Sequence, residues 1–399
     1  MKKIILIVLF PLSGNLLLCG QTFQNYELKA EYLQGSILKH TVHLENLVKG
    51  PSTGLEVAVQ FRTMNEKPWH QYFNFPSIGV GAVYLNLSNP DTLGSAFALY
   101  PYLNIPVVRT PYFVLNVKPG AGLSYVTKTF RDATAYNADG TVNLNRSNAA
   151  IGSHLNAYFS AGVNVEIPVV SGFSLTAAYN WNHLSNGSIL QPNSGINMLN
   201  GFVGLKYFPN YKTYQQPEKK EWPTLPRELD VEITLAGGLR ELYYKDNKMY
   251  PIGSLAFGVY RPMSDWYRMG LGLDVFYDGV YNGKTAFRRT YLTTNEFKNK
   301  IRAGVSWQNE LIIGRLIAGV DLGLYLYDPI KNLEPYDKAK AGKLNKPLIY
   351  GYDIEQEDGW FYTRISAKYR LTRHFFASIG LKTHLQKAEF IEWGVGYRF

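Results

Sequence analysis

The chain has 399 residues, a formal charge of +10, 15% aromatic residues and only 18% charged ones. A single cysteine, Cys19, excludes a disulfide framework and a thiolate metal site, and no later stretch is apolar over the roughly 20 residues that a spanning helix requires. The basic balance suits anionic lipid headgroups, while the absence of any nucleic-acid-binding motif argues against a nucleic-acid partner.

In chain order, Lys2 and Lys3 followed by apolar runs at 4–10 and 16–18 read as a secretory signal over 1–20, cleaved after Gly20. Leu18 is too large for lipoprotein processing at Cys19, so the exported chain is expected to hold no cysteine. Alternation then marks strands near 27–37, 53–63, 77–87, 94–107, 111–127, 152–168, 173–185 and 197–208. A polar, proline-bearing linker covers 209–228. A second set of strands follows near 229–242, 251–263, 266–280, 299–313, 316–328, 358–371, 374–386 and 390–399. Turns at 169–172, 264–265, 314–315 and 372–373 are tight, whereas 128–150, 281–298 and 329–357 are long and polar.

Short turns on one side and long loops on the other are the pattern of an outer-membrane barrel. The expected fold is all-β: an antiparallel up-and-down outer-membrane β-barrel of about 16 strands, arranged as two diverged eight-strand repeats. A soluble secreted β-sandwich is the bland alternative. The linker favours two eight-stranded units, 21–208 and 229–399, over a single 16-stranded barrel. One connection breaks the rule: 64–76 should be a short periplasmic turn, yet it is long and aromatic.

The strand at 173–185 carries the chemistry. Phe173, Leu175, Ala177, Tyr179 and Trp181 form an apolar row, and His183 and Ser185 extend it. A serine hydroxyl needs a neighbouring base, and the base needs a third group to hold its tautomer. Asn197, at the start of the next strand, is expected opposite Ser185 and diagonal to His183, within side-chain reach. Asn193 and a backbone N–H near Asn186 or Gly187 are the candidate oxyanion donors.

His183-Leu184-Ser185-Asn186, the Pro192-Asn193-Ser194-Gly195 loop and an orienting residue fourteen positions after the histidine resemble the lipid A 3-O-deacylase (PagL) family over about 27–208. The resemblance implies Ser185 as nucleophile, His183 as base, and Asn186 and Asn193 at the oxyanion. That family usually has an acidic residue where this chain has Asn197. The same motif is similar to outer-membrane phospholipase A, whose triad is Ser-His-Asn. The expected function is an outer-membrane serine esterase that removes an ester-linked acyl chain from lipid A, with lipopolysaccharide in the outer leaflet as partner. The alternatives are an outer-membrane phospholipase A and a non-enzymatic porin or structural β-barrel. Outward-facing His183 and Ser185 favour the esterase; an inward pair lining a lumen favours transport.

The other histidines read as structural. His384 lies on the opposite, inward face of its strand, and Gln386 stands where a serine would be needed, so the second repeat is expected to be inactive. His70 belongs to an aromatic turn, and His40, His43 and His154 lack metal-ligand spacing. Asp353, Glu355, Glu357 and Asp358 could hold Ca²⁺ but read first as a solvated acidic loop. No cofactor is indicated.

Overall fold

Alternation of side chains along the chain translates into strands throughout. The computed structural model describes residues 25–223, 228–245, 248–281, 296–329, 360–384 and 387–399. The expected signal segment with Cys19, the acidic group at 353–358 and Gln386 lie outside these residues.

The first sheet contains β1 (Tyr26–Ile37), β2 (Ser52–Arg62), β3 (Ser77–Asn86), β4 (Ser95–Arg109), β5 (Val114–Val117), β6 (Gly120–Val126), β7 (Leu155–Val170), β8 (Phe173–Ser185) and β9 (Ile196–Tyr207). Each strand pairs antiparallel with its neighbours, and β1 pairs with both β2 and β9, so the sheet runs round to its own start. The second set is β10 (Asp230–Glu241), β11 (Met249–Pro262), β12 (Tyr267–Asp278), β13 (Ile301–Ile313), β14 (Leu316–Tyr327), β15 (Phe361–Arg370), β16 (Phe375–His384) and β17 (Lys387–Arg398). These eight form a closed antiparallel barrel.

The strand expected at 111–127 is two strands. Both β5 and β6 lie between β4 and β7, sharing one place in the sheet. They divide at Lys118 and Pro119. Proline has no N–H to give the ladder, but its carbonyl still accepts from Leu103 N–H at 3.0 Å.

The polar row of each strand points inward. In the first barrel, Glu56 accepts from Lys118 Nζ at 2.5 Å and Tyr100 OH at 2.7 Å, and pairs with Lys29 at 3.2 Å. In the second, Arg268 is fully buried against Glu232 (2.6 Å), Glu310 (2.5 Å) and Asp230 (3.0 Å). Buried charge is tolerated only when paired and hydrogen-bonded, and here each carboxylate meets a cation. The apolar row points outward: Leu55, Val57, Leu99, Tyr179, Val203, Leu271, Leu273 and Val395 are among the exposed large side chains. Polar inside and apolar outside inverts the soluble arrangement and is the pattern of a barrel solvated by lipid. This is an outer-membrane-type β-barrel fold.

The exceptional connection between β2 and β3 has a structural cause. It forms a short helix, α1 (Pro68–Tyr72), that grips other parts of the chain. Asn65 Nδ2 donates to Glu218 O at 2.6 Å and Gln71 Nε2 to Lys220 O at 3.1 Å, fastening the linker. Tyr72 OH donates to Asp265 at 3.0 Å, Phe73 meets Trp266 edge to face, and Trp69 packs on Gly314. Asp265 and Gly314 belong to tight turns of the second barrel, so its aromatic residues clasp the two barrels at their short-turn end. His70 is buried in this helix against the edge of Trp69.

Candidate active site

The odd row of β8 faces away from the lumen. Phe173, Leu175, Tyr179 and Trp181 are exposed, whereas Thr176, Asn180 and Asn182 are buried inside the barrel. His183 continues the outward row, stacked on Trp181 (ring centroids 5.5 Å) with Phe159 of β7 beside it (6.2 Å). Phe159 lies opposite His183 in the β7–β8 ladder, so the imidazole is held in an aromatic bracket on the lipid-facing surface. His384 does the reverse: it is buried, with Nδ1 3.1 Å from Glu389 Oε1.

Asn197 faces His183 directly across the β8–β9 ladder. Sequence spacing places it opposite Ser185; the register differs by two residues. One register runs unbroken from Phe173 and Tyr207 to Leu184 and Ile196, and the chain then meets Gly195. With φ of +72°, a conformation open mainly to glycine, it turns the chain out of the ladder beyond Leu184 and Ile196. Ser185 therefore keeps a partner only on the β7 side, Ala157. A side chain at Gly195 would run into His183 Cε1 (2.9 Å) and crowd Ser185 Cβ (3.4 Å), so imidazole and serine border the same glycine.

The hydrogen bonds divide the site in two. His183 Nδ1 lies 2.8 Å from Asn197 Oδ1. Ser185 Oγ instead accepts from Gly187 N–H at 3.0 Å and from Asn193 Nδ2 at 3.4 Å. Two N–H groups thus converge on the serine oxygen, while its hydroxyl makes no hydrogen bond to the imidazole among the described residues. Ser185 is only 6% exposed, covered by the loop that follows it. Catalytic hydrogen bonds of a free enzyme are often unformed until substrate arrives.

Asn186 serves the loop. Its side-chain amide donates to Ser153 Oγ (3.0 Å) and Leu190 O (2.9 Å), and its backbone N–H donates to Asn193 Oδ1 (3.2 Å). The last bond aims the Asn193 amide group at Ser185. The connection between β6 and β7 supports the loop from below: Ser194 N–H and Gly195 N–H donate to Ala149 O (3.3 Å) and Ala150 O (3.0 Å).

Sequence reasoning missed Ser153, Phe159 and His40. His40 Nε2 lies 3.0 Å from Ser194 O, and its Nδ1 lies 3.5 Å from Asn197 Nδ2. It borders both the Asn197 carboxamide and the end of the loop. No local spacing announces it, because its partners lie more than 150 positions away. Among the described residues, no group of three or more His, Cys, Asp or Glu is arranged to hold a metal.

The profile of the lipid A 3-O-deacylase (PagL) family matches residues 53–206, and that of the acyloxyacyl hydrolase C-terminal domain matches 229–339 and 348–399. Together they span most of the chain. This chain belongs to the lipid A 3-O-deacylase family. No curated protein sequence matches it. Among solved structures, the outer membrane enzyme PagL shares 15% identity and a TM-score of 0.28 over 45% of this chain and 98% of that one. Neisserial surface protein A (NspA) shares 10% and 0.28 over 46% and 96%. A mutant porin of Rh. blastica shares 11% and 0.17 over 94% and 99%. In this member of the deacylase family, the motif sits on the first barrel and a second profile covers β10 to β17.

Proposed function

We propose that this protein is an outer-membrane serine esterase that removes an ester-linked acyl chain from lipid A, the bond at the 3-position being the one the family name indicates. The observation that carries the reading is the outward, bracketed His183–Asn197 pair beside a serine on which two N–H donors converge. Lipid A is anchored in the outer leaflet by its acyl chains. A reactive group on the lipid-facing side can meet an ester without lifting the lipid from its membrane.

In this mechanism Asn197 Oδ1 accepts the Nδ1 proton of His183, which leaves Nε2 as the basic nitrogen. As substrate enters, Nε2 takes the Ser185 proton and Oγ attacks the ester carbonyl carbon. The carbonyl oxygen becomes an oxyanion and takes the two donors, Gly187 N–H and Asn193 Nδ2, that the resting hydroxyl occupies. Collapse breaks the ester C–O bond, and the imidazolium returns its proton to the leaving alcohol. Water, deprotonated by His183, then cleaves the acyl-enzyme and frees the fatty acid. Asn186 acts by aiming Asn193. The reaction uses side chains of the first barrel alone, the second being catalytically inactive, and is expected to proceed unchanged in EDTA.

Lipid A mass spectrometry on cells expressing the wild type or Ser185→Ala tests the reading. Loss of one acyl chain in the wild type, and its retention in the variant, is the expected result. Identical lipid A in both would overturn it. A phospholipid substrate is the second reading, favoured by an asparagine rather than a carboxylate at the orienting position. Release of fatty acid from phospholipid vesicles, dependent on Ser185, would select it.

A further inference from the structure

The loop of residues 186–195 carries the Gly187 and Asn193 donors. Its inner side rests on its own barrel, through Ala149, Ala150 and Ser153. Its outer side rests on the second barrel. Glu241, at the end of β10, is buried; its Oε2 accepts Gln191 N–H at 2.8 Å, and its backbone N–H donates to Ile189 O at 3.1 Å. Ser188 Oγ donates to Ala388 O of β17 at 2.8 Å. Gly187 is pressed against Ile391, with Leu381 behind, so closely that a Cβ there would collide with Ile391 Cγ1 and Cδ1.

These contacts meet the loop where its backbone is least comfortable. Gly187 has φ of +60° and Ser188 φ of +70°. A left-handed non-glycine residue is strained and persists only where its surroundings hold it. Ser188 is held by the carbonyl of Ala388. Gly187 and Ser188 are consecutive left-handed residues directly beside the N–H that meets Ser185 Oγ, and both touch the second barrel.

We propose that the second barrel is a positioning element for the reaction: Glu241, Ala388 and Ile391 hold the 186–191 segment so that the Gly187 N–H faces Ser185 Oγ. The role of the non-catalytic half is then to preorganise an oxyanion donor on the other half. The inference rests on the esterase reading given above. It assigns Glu241 as a positioning residue, since it touches the loop and not the reacting atoms.

The test measures fatty acid release from lipopolysaccharide in mixed micelles by the full-length protein, with folding checked by heat-modifiable gel mobility. Glu241→Leu removes the acceptor for Gln191 N–H, whereas Glu241→Gln keeps an amide oxygen in its place. Displacing a preorganised group can cost about 10²-fold, so Glu241→Leu is expected to lower kcat at least tenfold (the shift being partial) with KM nearly constant, and Glu241→Gln to recover most of it. Ile391→Ala and Ser188→Ala, which touch the same segment independently, should each lower kcat in the same sense. Folded Glu241→Leu, Ile391→Ala and Ser188→Ala proteins with wild-type kcat would overturn the inference. Equal losses in Glu241→Leu and Glu241→Gln would do so too, by assigning the effect to charge. Ser185→Ala run alongside separates the two failures. If it abolishes release while the second-barrel variants do not, only this inference falls; if it leaves release intact, the esterase reading itself falls.

Discussion

His183 and Asn197 face each other across the β8–β9 ladder, with imidazole Nδ1 2.8 Å from the carboxamide oxygen. The pair sits on the outer surface of the barrel, one residue pair short of where the ladder ends. A neutral carboxamide can hold the tautomer but lends the imidazolium less support than a carboxylate.

That distinction gives the first prediction. Asn197→Leu should lower kcat for acyl release by about 10²-fold or more, because the ring loses the group that sets its tautomer. Asn197→Asp should retain or exceed wild-type kcat, since a carboxylate accepts the same proton and stabilises the cation. Steady-state release assays on both variants decide; full activity in the leucine variant would remove Asn197 from the mechanism.

Asn193 and Asn186 should separate by the size of their effects. Loss of an oxyanion donor costs roughly 10²–10³ in kcat. Asn193→Ala removes a donor and should fall in that range with KM little changed. Asn186→Ala still keeps the backbone N–H that donates to Asn193 Oδ1, and should cost less. A larger loss in Asn186→Ala would reverse the two roles.

The barrel interiors bear on the porin alternative. Arg268, Arg302, Lys118 and Lys382 are fully buried within paired networks, so the lumens are filled rather than open. Purified protein in planar bilayers should show no steady open-channel current. Stepwise, reproducible conductance would return the transport reading.

Acid should loosen the clasp helix. Burial, helped by the neighbouring Lys67, lowers the His70 imidazole to about 4 from its ordinary 6.5. The unfolded chain therefore takes up this proton near pH 6.5 and the folded chain only near pH 4. The stabilisation is complete above pH 6.5 and is lost as pH falls toward 4, by up to about 3 kcal/mol. Urea unfolding midpoints of the wild type should drop across this window, and His70→Phe should flatten the drop. An identical pH dependence in the variant would show that His70 is not the group responsible.

Much of the site was legible from alternation. A period of two assigned His183 and Ser185 to the apolar row of β8, and His384 to the opposite row of β16, before any coordinates. The motif spacing also named Asn197, Gly187 and Asn193. The register was not legible, because it is set by pairing along the whole β8–β9 ladder, which alternation by itself does not specify. The division of the 111–127 strand at Pro119 was hidden for a similar reason: the pattern on either side of the break is the same.

Side-chain alternation is a local property, set by the geometry of each residue and its nearest neighbours. The sequence alone therefore determined which residues look toward lipid, which fill the lumen, and which row holds His183 and Ser185. Contacts such as Ser188 with Ala388, 200 positions apart, exist only because one closed sheet comes to rest against another. The tertiary structure alone decided that the 186–195 loop is held from both barrels, that His40 borders the Asn197 carboxamide, and that the aromatic 64–76 connection is a clasp.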